Sequence, residues 1–206
     1  MGHDLVFRQS PVGYDWDEFH RDGRGCQWPA EYMVRHATVH ARKNPGRHSL
    51  DIGAGGGAHV RMLLEMRYYV AAMEPSWPAC QLLSERYNDN PRVRIVHAEV
   101  NDALLPSMYD LIIDNVSLTH VEHPNWDKIL SWLRPGGVIL TAQFGIRHES
   151  LPDSWCHLPM LCDRYGFQSL EYVRHVRNKW PDDGKKMEFT IGVSRYVNEP
   201  RKPRKC

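Results

Sequence analysis

The sequence predicts an α/β domain, in which a mostly parallel sheet of seven strands is wrapped on both faces by helices and carries one antiparallel strand near the C-terminus. Three observations predict it. Strand-like and helix-like segments alternate with short links from residue 48 to 144, as parallel neighbours require, because each needs a crossover to return the chain. A glycine-rich stretch, Gly53–Gly57, separates the first strand from the helix after it. Near the end of the chain two strand-like segments follow each other with no helix long enough for a crossover, so they pair as an antiparallel hairpin.

Residues 1–47 stand apart as an N-terminal helical and loop cap. They are rich in aromatics and charge, with Tyr14, Trp16, Phe19, Trp28 and Tyr32 set among breaks at Gly13, Gly23 and Gly25. Only the second half reads as a helix, from Pro29 to about Lys43. Pro29 suits a first turn, where an amide has no intrahelical acceptor, and Val34 and Ala37 share a face. Asn44-Pro45-Gly46 ends it. Ser49–Ile52 then reads as a short buried strand running into the glycines, His59–Arg67 as a helix carrying Val60, Leu63 and Leu64 at helical spacing, and Tyr68–Met73 as a second strand. Ser76 can accept an orphan first-turn amide and so caps a helix through about Tyr87. Arg92–His97 and Tyr109–Ile113 are the third and fourth strands. Asn125–Trp132 is helical and stops at Pro135-Gly136-Gly137, and Val138–Phe144 is the fifth strand. A helix around Trp155–Tyr165 precedes the hairpin strands Gln168–Arg177 and Glu188–Val197, with Pro181-Asp182-Asp183-Gly184 between them. The main domain thus runs over 48–200, leaving 201–206 as a basic tail.

Length and composition narrow the function. The 206 residues suit one core, and 42% hydrophobic with 25% charged residues is an ordinary globular profile without repeats. With 26 Lys and Arg against 25 Asp and Glu, the net charge of +1 gives no field for gathering phosphate backbones or anionic lipid. Nucleic acid is therefore not the expected partner. No apolar run approaches the roughly 20 residues that cross a bilayer, and Met1–Ser10 has no apolar signal core. The expectation is a soluble cytoplasmic protein without a membrane partner. Its five cysteines are odd in number and never spaced C-x-x-C, so free thiols are expected. His148, Cys156, His157, Cys162 and Asp163 match no compact zinc pattern, and no metal is expected.

Chemistry concentrates at Asp51-Ile52-Gly53-Ala54-Gly55-Gly56-Gly57. Between a strand and a helix, glycines let backbone amides approach a ligand at the helix N-terminus. Gly53-x-Gly55-x-x-Ala58 also fits a dinucleotide fingerprint, so the bend alone does not choose a ligand. Glu74 closes the second strand 17 residues after Gly57, where a carboxylate can accept both hydroxyls of a ribose. Together they imply an adenosyl-type ligand.

At these residues the sequence resembles the class I S-adenosylmethionine-dependent methyltransferases, a Rossmann-like, doubly wound family. Leu50–Gly57 looks like their first motif, Glu74-Pro75-Ser76 like their ribose-binding acid, and Tyr109–Ile113 like their fourth-strand motif. Leu118-Thr119-His120 resembles their Leu-x-His, and Leu133–Leu140 the approach to their fifth strand. The resemblance covers about residues 48–197 and implies S-adenosyl-L-methionine as cofactor. It implies that Gly53, Gly55 and Gly57 hold the methionine part, Asp51 its amino group through the loop or a water, and Glu74 with Pro75 and Ser76 the ribose. Glu99 stands where members commonly place an Asp on the adenine amine, a departure in residue type. Asn115, just past the fourth strand, falls near the transferring methyl. Outside the resemblance, Asp51 and Glu74 also have plainer readings, as a carboxylate satisfying loop amides and as a helix-dipole partner of Ser76.

Methyl transfer from a sulfonium is an in-line displacement, so alignment matters most: it supplies effective molarities of roughly 10⁵–10⁸ M, against about 10²–10⁴-fold for a positioned base. If the acceptor is a hydroxyl, a base helps. His120, following the fourth strand at the carboxyl edge, is the first candidate and equally reads as a helix-start histidine bonded to backbone; His148, after the fifth strand, is the second, and among 12 histidines a lone one is more often structural. The order Trp16-Asp17-Glu18-Phe19 and Trp28-Pro29-x-Glu31-x-x-Val34-Arg35 is similar to the leader of methyltransferases linked to bacterial surface polysaccharides. That implies a segment folded over the cofactor, with Tyr14 and Arg24 reaching the carboxylate or the acceptor, against a plainer reading of aromatics packed on the sheet. The expected function is transfer of a methyl group to an oxygen or nitrogen of a small-molecule acceptor, such as a sugar. The rivals are a nucleic-acid methyltransferase, a nicotinamide oxidoreductase, and a cofactor-binding protein without turnover. Against the first, Asp114-Asn115-Val116-Ser117 lacks the Asn/Asp-Pro-Pro-Tyr/Phe run of amino-methylating DNA enzymes. No motif specifies the acceptor or the oligomeric state.

Overall fold

The computed structural model describes residues 15–23, 27–43, 47–121, 123–144, 158–177 and 187–198. In chain order the elements are α1 (Trp16–Arg21), α2 (Glu31–Lys43), β1 (His48–Ile52), α3 (Ala58–Glu65), β2 (Tyr69–Glu74), α4 (Trp77–Tyr87), β3 (Val93–His97) and β4 (Tyr109–Asn115). A 3-10 turn (Leu118–His120), α5 (Trp126–Ser131), β5 (Leu133–Phe144), α6 (Leu158–Tyr165), β6 (Gln168–Arg177) and β7 (Met187–Val197) follow. The seven strands lie in the order β3-β2-β1-β4-β5-β7-β6. β1 to β5 are parallel, and β7 runs antiparallel to both β5 and β6.

Both faces of the sheet are buried, which explains why its central strands read as continuous apolar runs. Along β4, Leu111 and Ile113 join Met33, Ala37, Val60 and Leu63 of α2 and α3 on one face. Ile112, pointing the other way by the two-residue period of a strand, joins Trp126, Ile129 and Leu161 of α5 and α6. The strand order turns back between β1 and β4, so the crevice of this sheet opens at their carboxyl ends.

Three sequence expectations are corrected. The first half of the leader contains a helix, α1, too short to show periodicity but capped by Asp15, whose side chain accepts from the Glu18 amide at 3.0 Å. β5 begins at Leu133 and runs through Pro135-Gly136-Gly137. A register shift between Tyr109 and Leu111 accommodates the extra residues, and Gly137 is needed because a Cβ there would lie 2.7 Å from the Tyr109 carbonyl oxygen. β4 runs two residues beyond Ile113, so Asn115 is its last residue rather than just past it, paired with Ala142 of β5. Tyr14, Arg24, His148, Cys156, His157, the turn at 181–184 and the tail 201–206 lie outside the described residues. No described helix is long and apolar enough to cross a membrane.

Candidate active site

Asp51 sits on β1 opposite Ala72 of β2 and Ile113 of β4. It is fully buried, and neither carboxylate oxygen has a hydrogen-bond partner. Burial, followed by the charges of Glu74 and Asp114, pushes its pKa well above the usual carboxylate range. An acid left so is costly unless a cation arrives to share it.

The glycine bend carries the chain from Asp51 across to β2. Gly53 and Ala54 donate to the Met73 carbonyl at 2.8 and 3.0 Å. Gly53 has φ +67, and a Cβ there would stand 2.1 Å from Ser117 Oγ, so the bend lies directly against the end of β4. From outside, Tyr87 of α4 donates to the Gly57 carbonyl at 3.1 Å and Arg86 to that of Gly56.

Glu74, at the carboxyl end of β2, ties the bend to α4. One carboxylate oxygen accepts from Gly55 N at 2.8 Å and the other from Ser76 N at 2.9 Å. Burial raises its pKa to about 7 against those two bonds. Ser76 caps α4 as expected, and the Pro75 carbonyl lies 3.0 Å from His97 Nε2. Glu99, beyond β3, is exposed, and its carbonyl accepts from the amides of Asp102 and Ala103. The structure thus brings Asp51, Gly53, Gly55, Gly57, Glu74, Pro75 and Ser76 together and leaves Glu99 at the margin.

At the end of β4, Asn115 Oδ1 accepts from the Tyr32 hydroxyl of α2 at 2.7 Å. Val116 follows with φ +68, a strained conformation for a β-branched residue. Asp114 fixes the 3-10 turn, accepting from Leu118 N at 2.9 Å, from Thr141 Oγ1 at 2.5 Å and from Gln143 Nε2. Burial still lifts its pKa to about 7. His120 ends this turn, with Trp16 of α1 edge-on at 4.9 Å. Burial lowers the His120 pKa to about 4, so its ring is uncharged at neutral pH.

Helix α1 lies over the bend. The His20 ring is buried, and its Cε1 would be 3.2 Å from a Cβ at Gly55. Sequence reasoning missed His20, Tyr32 and Asp114. A usable signal existed for the first: Asp15 followed three residues later by Glu18 is a capping-box spacing, and Trp16 and His20 then share a face. Among the described residues, no three His, Cys, Asp or Glu side chains converge as metal ligands.

A family profile described as a methyltransferase domain matches residues 50–137. The chain is 29% identical over 111 residues to ribosomal RNA small subunit methyltransferase A of Synechococcus sp., a stretch covering 52% of this chain and 39% of that protein. It is 25% identical over 168 residues to malonyl-(acyl-carrier protein) O-methyltransferase of Halalkalibacterium halodurans, covering 75% of this chain and 61% of that protein. This chain therefore spans between 39% and 61% of the length of these two relatives. In structure it is similar to 1,6-didemethyltoxoflavin-N1-methyltransferase of Burkholderia thailandensis, solved with 1,6-didemethyltoxoflavin and S-adenosylhomocysteine. The TM-score is 0.57 and the identity 22%, over 89% of this chain and 85% of that one, which is a likeness of fold.

Proposed function

We propose, from the match of residues 50–137 to a methyltransferase-domain profile, that the chain is a class I, S-adenosylmethionine-dependent methyltransferase that moves the methyl group of S-adenosylmethionine to an oxygen or nitrogen of a small-molecule acceptor. Residues 1–47 cap the domain of residues 48–200 in this reading, and the protein works in the cytoplasm.

The observation that carries the reading is the orphaned carboxyl of Asp51 beneath the glycine bend, with Glu74 beside it. A buried acid without a partner fits an α-ammonium group, and a second carboxylate at the end of β2 fits a ribose, whose hydroxyls would compete with the amides of Gly55 and Ser76. A pyrophosphate is disfavoured there, because it would bring negative charge onto two buried carboxyls. The cofactor, when bound, supplies an electrophilic methyl on a sulfonium.

The chain's own share is alignment. Tyr32 holds Asn115 at the end of β4, and Asp114 holds the turn that carries His120. His120 is uncharged at neutral pH and can accept a proton from an acceptor hydroxyl, but a pKa of about 4 makes it a weak base, so orientation dominates the rate. Trp16 and Tyr32 roof this end of the sheet, which supports a small acceptor over a polymer, as does the net charge of +1.

Calorimetry with S-adenosylmethionine, S-adenosylhomocysteine and NADH tests the cofactor. Both adenosyl ligands should bind, and Glu74→Gln should weaken them about tenfold or more, roughly one lost charged hydrogen bond. Binding of NADH alone would overturn the reading. Release of S-adenosylhomocysteine with hydroxyl or amine metabolites, and none with RNA, is the expected acceptor result; methyl incorporation into RNA alone would replace the small-molecule reading.

A further inference from the structure

We propose that His20 is a cofactor ligand, its ring N–H donating to the α-carboxylate of the amino-acid end while Asp51 takes the α-ammonium. This rests on the site being one for S-adenosylmethionine.

His20 stands in the last turn of α1, only 8% exposed, with its ring over Gly55. The approach is close enough that a Cβ at Gly55 would lie 3.2 Å from Cε1 and 3.9 Å from Nε2. Ring packing accounts for part of this burial, since Phe19 stands edge-on at 5.4 Å and Trp16 lies 6.4 Å away. Packing does not account for Nδ1, which is buried and has no hydrogen-bond partner. An unsatisfied buried nitrogen is a standing cost, and so is an unsatisfied buried carboxyl.

The two orphans have opposite needs. Asp51 lacks a donor or cation, His20 Nδ1 lacks a partner, and the same glycine bend joins them: Asp51 lies two residues before Gly53, and His20 rests on Gly55. An α-amino acid end is a zwitterion and satisfies both at once. A ligand that offers no cation leaves the Asp51 carboxylate uncompensated, one that offers no acceptor leaves the His20 N–H unpaired, and a phosphate would meet an ionised Asp51 with repulsion. Burial lowers the His20 pKa although Asp17 opposes it, and an Nδ1–H donates to a carboxylate in the neutral and in the protonated ring alike. On this assignment α1 closes on the ligand as well as on the protein.

The test compares two ligands that share a nucleoside. S-adenosylhomocysteine has the amino-acid end, and 5′-methylthioadenosine lacks it. His20→Phe keeps a ring without an N–H; His20→Asn keeps an N–H without the ring. Calorimetry should show His20→Phe losing about tenfold or more for S-adenosylhomocysteine, the scale of one hydrogen bond to a charged group, with 5′-methylthioadenosine changed less than about twofold. His20→Asn should retain most of the affinity for S-adenosylhomocysteine. The reverse order, with Phe retaining and Asn losing, or an equal loss for both ligands, overturns the assignment in favour of packing. Unchanged affinity in His20→Phe overturns it as well. Should the wild-type chain bind neither ligand, the reading of the site itself fails, which is a separate result.

Discussion

At Gly53 two constraints coincide: a left-handed φ of +67 and the Ser117 side chain where a Cβ would be. Gly53→Ala therefore carries about 1–3 kcal/mol of backbone strain in addition to an overlap at 2.1 Å from Ser117 Oγ. Adding Ser117→Gly removes the overlapping Oγ and Cβ and leaves the backbone term. Urea denaturation should show a large loss for the single variant and partial recovery for the double. The same loop follows Asp51, whose two buried carboxyl oxygens have no hydrogen-bond partner. In the proposed reading stability and binding thus meet in neighbouring residues, and Val116 at φ +68 shows that the facing end of β4 is strained too.

The strands that position these residues are tied together at their opposite ends. Asp110, buried near the start of β4, accepts from His48 N of β1 at 2.9 Å, and pairs with Arg47 at 3.3 Å and with Arg134 of β5. One carboxylate thus joins three strands on the edge away from the glycine bend. Asp110→Ala leaves the His48 amide and two guanidinium groups without it, a cost on the order of 1.5–3 kcal/mol, kept modest because both arginines reach solvent. The chemical denaturation midpoint should fall while affinity for S-adenosylhomocysteine stays within about twofold. An equal fall in affinity would mean that the two ends of the sheet are coupled.

Over the whole molecule, buried acids and buried histidines pull stability in opposite directions with pH. Glu74 and Asp114 titrate near 7 when folded, against 4.5 and 3.8 as free groups, so the folded chain holds extra protons in that window and their contribution falls as pH rises. His59 and His120 titrate near 4 when folded, against 6.5, so the unfolded chain holds the extra protons and their contribution rises with pH up to about 6.5. The two effects offset each other between about pH 4 and 6.5. Above that only the acids remain, with Asp51 shifted the same way. Thermal melts of the ligand-free protein should therefore fall less steeply from about pH 5 to 6.5, where the histidines oppose the acids, than from about pH 6.5 to 8, where they no longer do. Asp51→Asn should lessen that alkaline fall.

The sequence by itself determined the sheet and the glycine bend that meets Glu74 at its carboxyl edge. Alternating apolar segments identify the strands because both faces are covered, and Leu50–Gly57 with Glu74 can be read as a site because a short link fixes both at the carboxyl ends of adjacent strands. Local spacing did not reach α1, whose six residues give no periodicity, or the bulge that carries β5 through Pro135-Gly136-Gly137. Only the tertiary structure decided that Tyr32 holds Asn115, that Trp16 packs on His120, and that His20 rests on Gly55. Each of those contacts joins residues 35 to 104 positions apart, and only packing against the folded sheet brings them within reach.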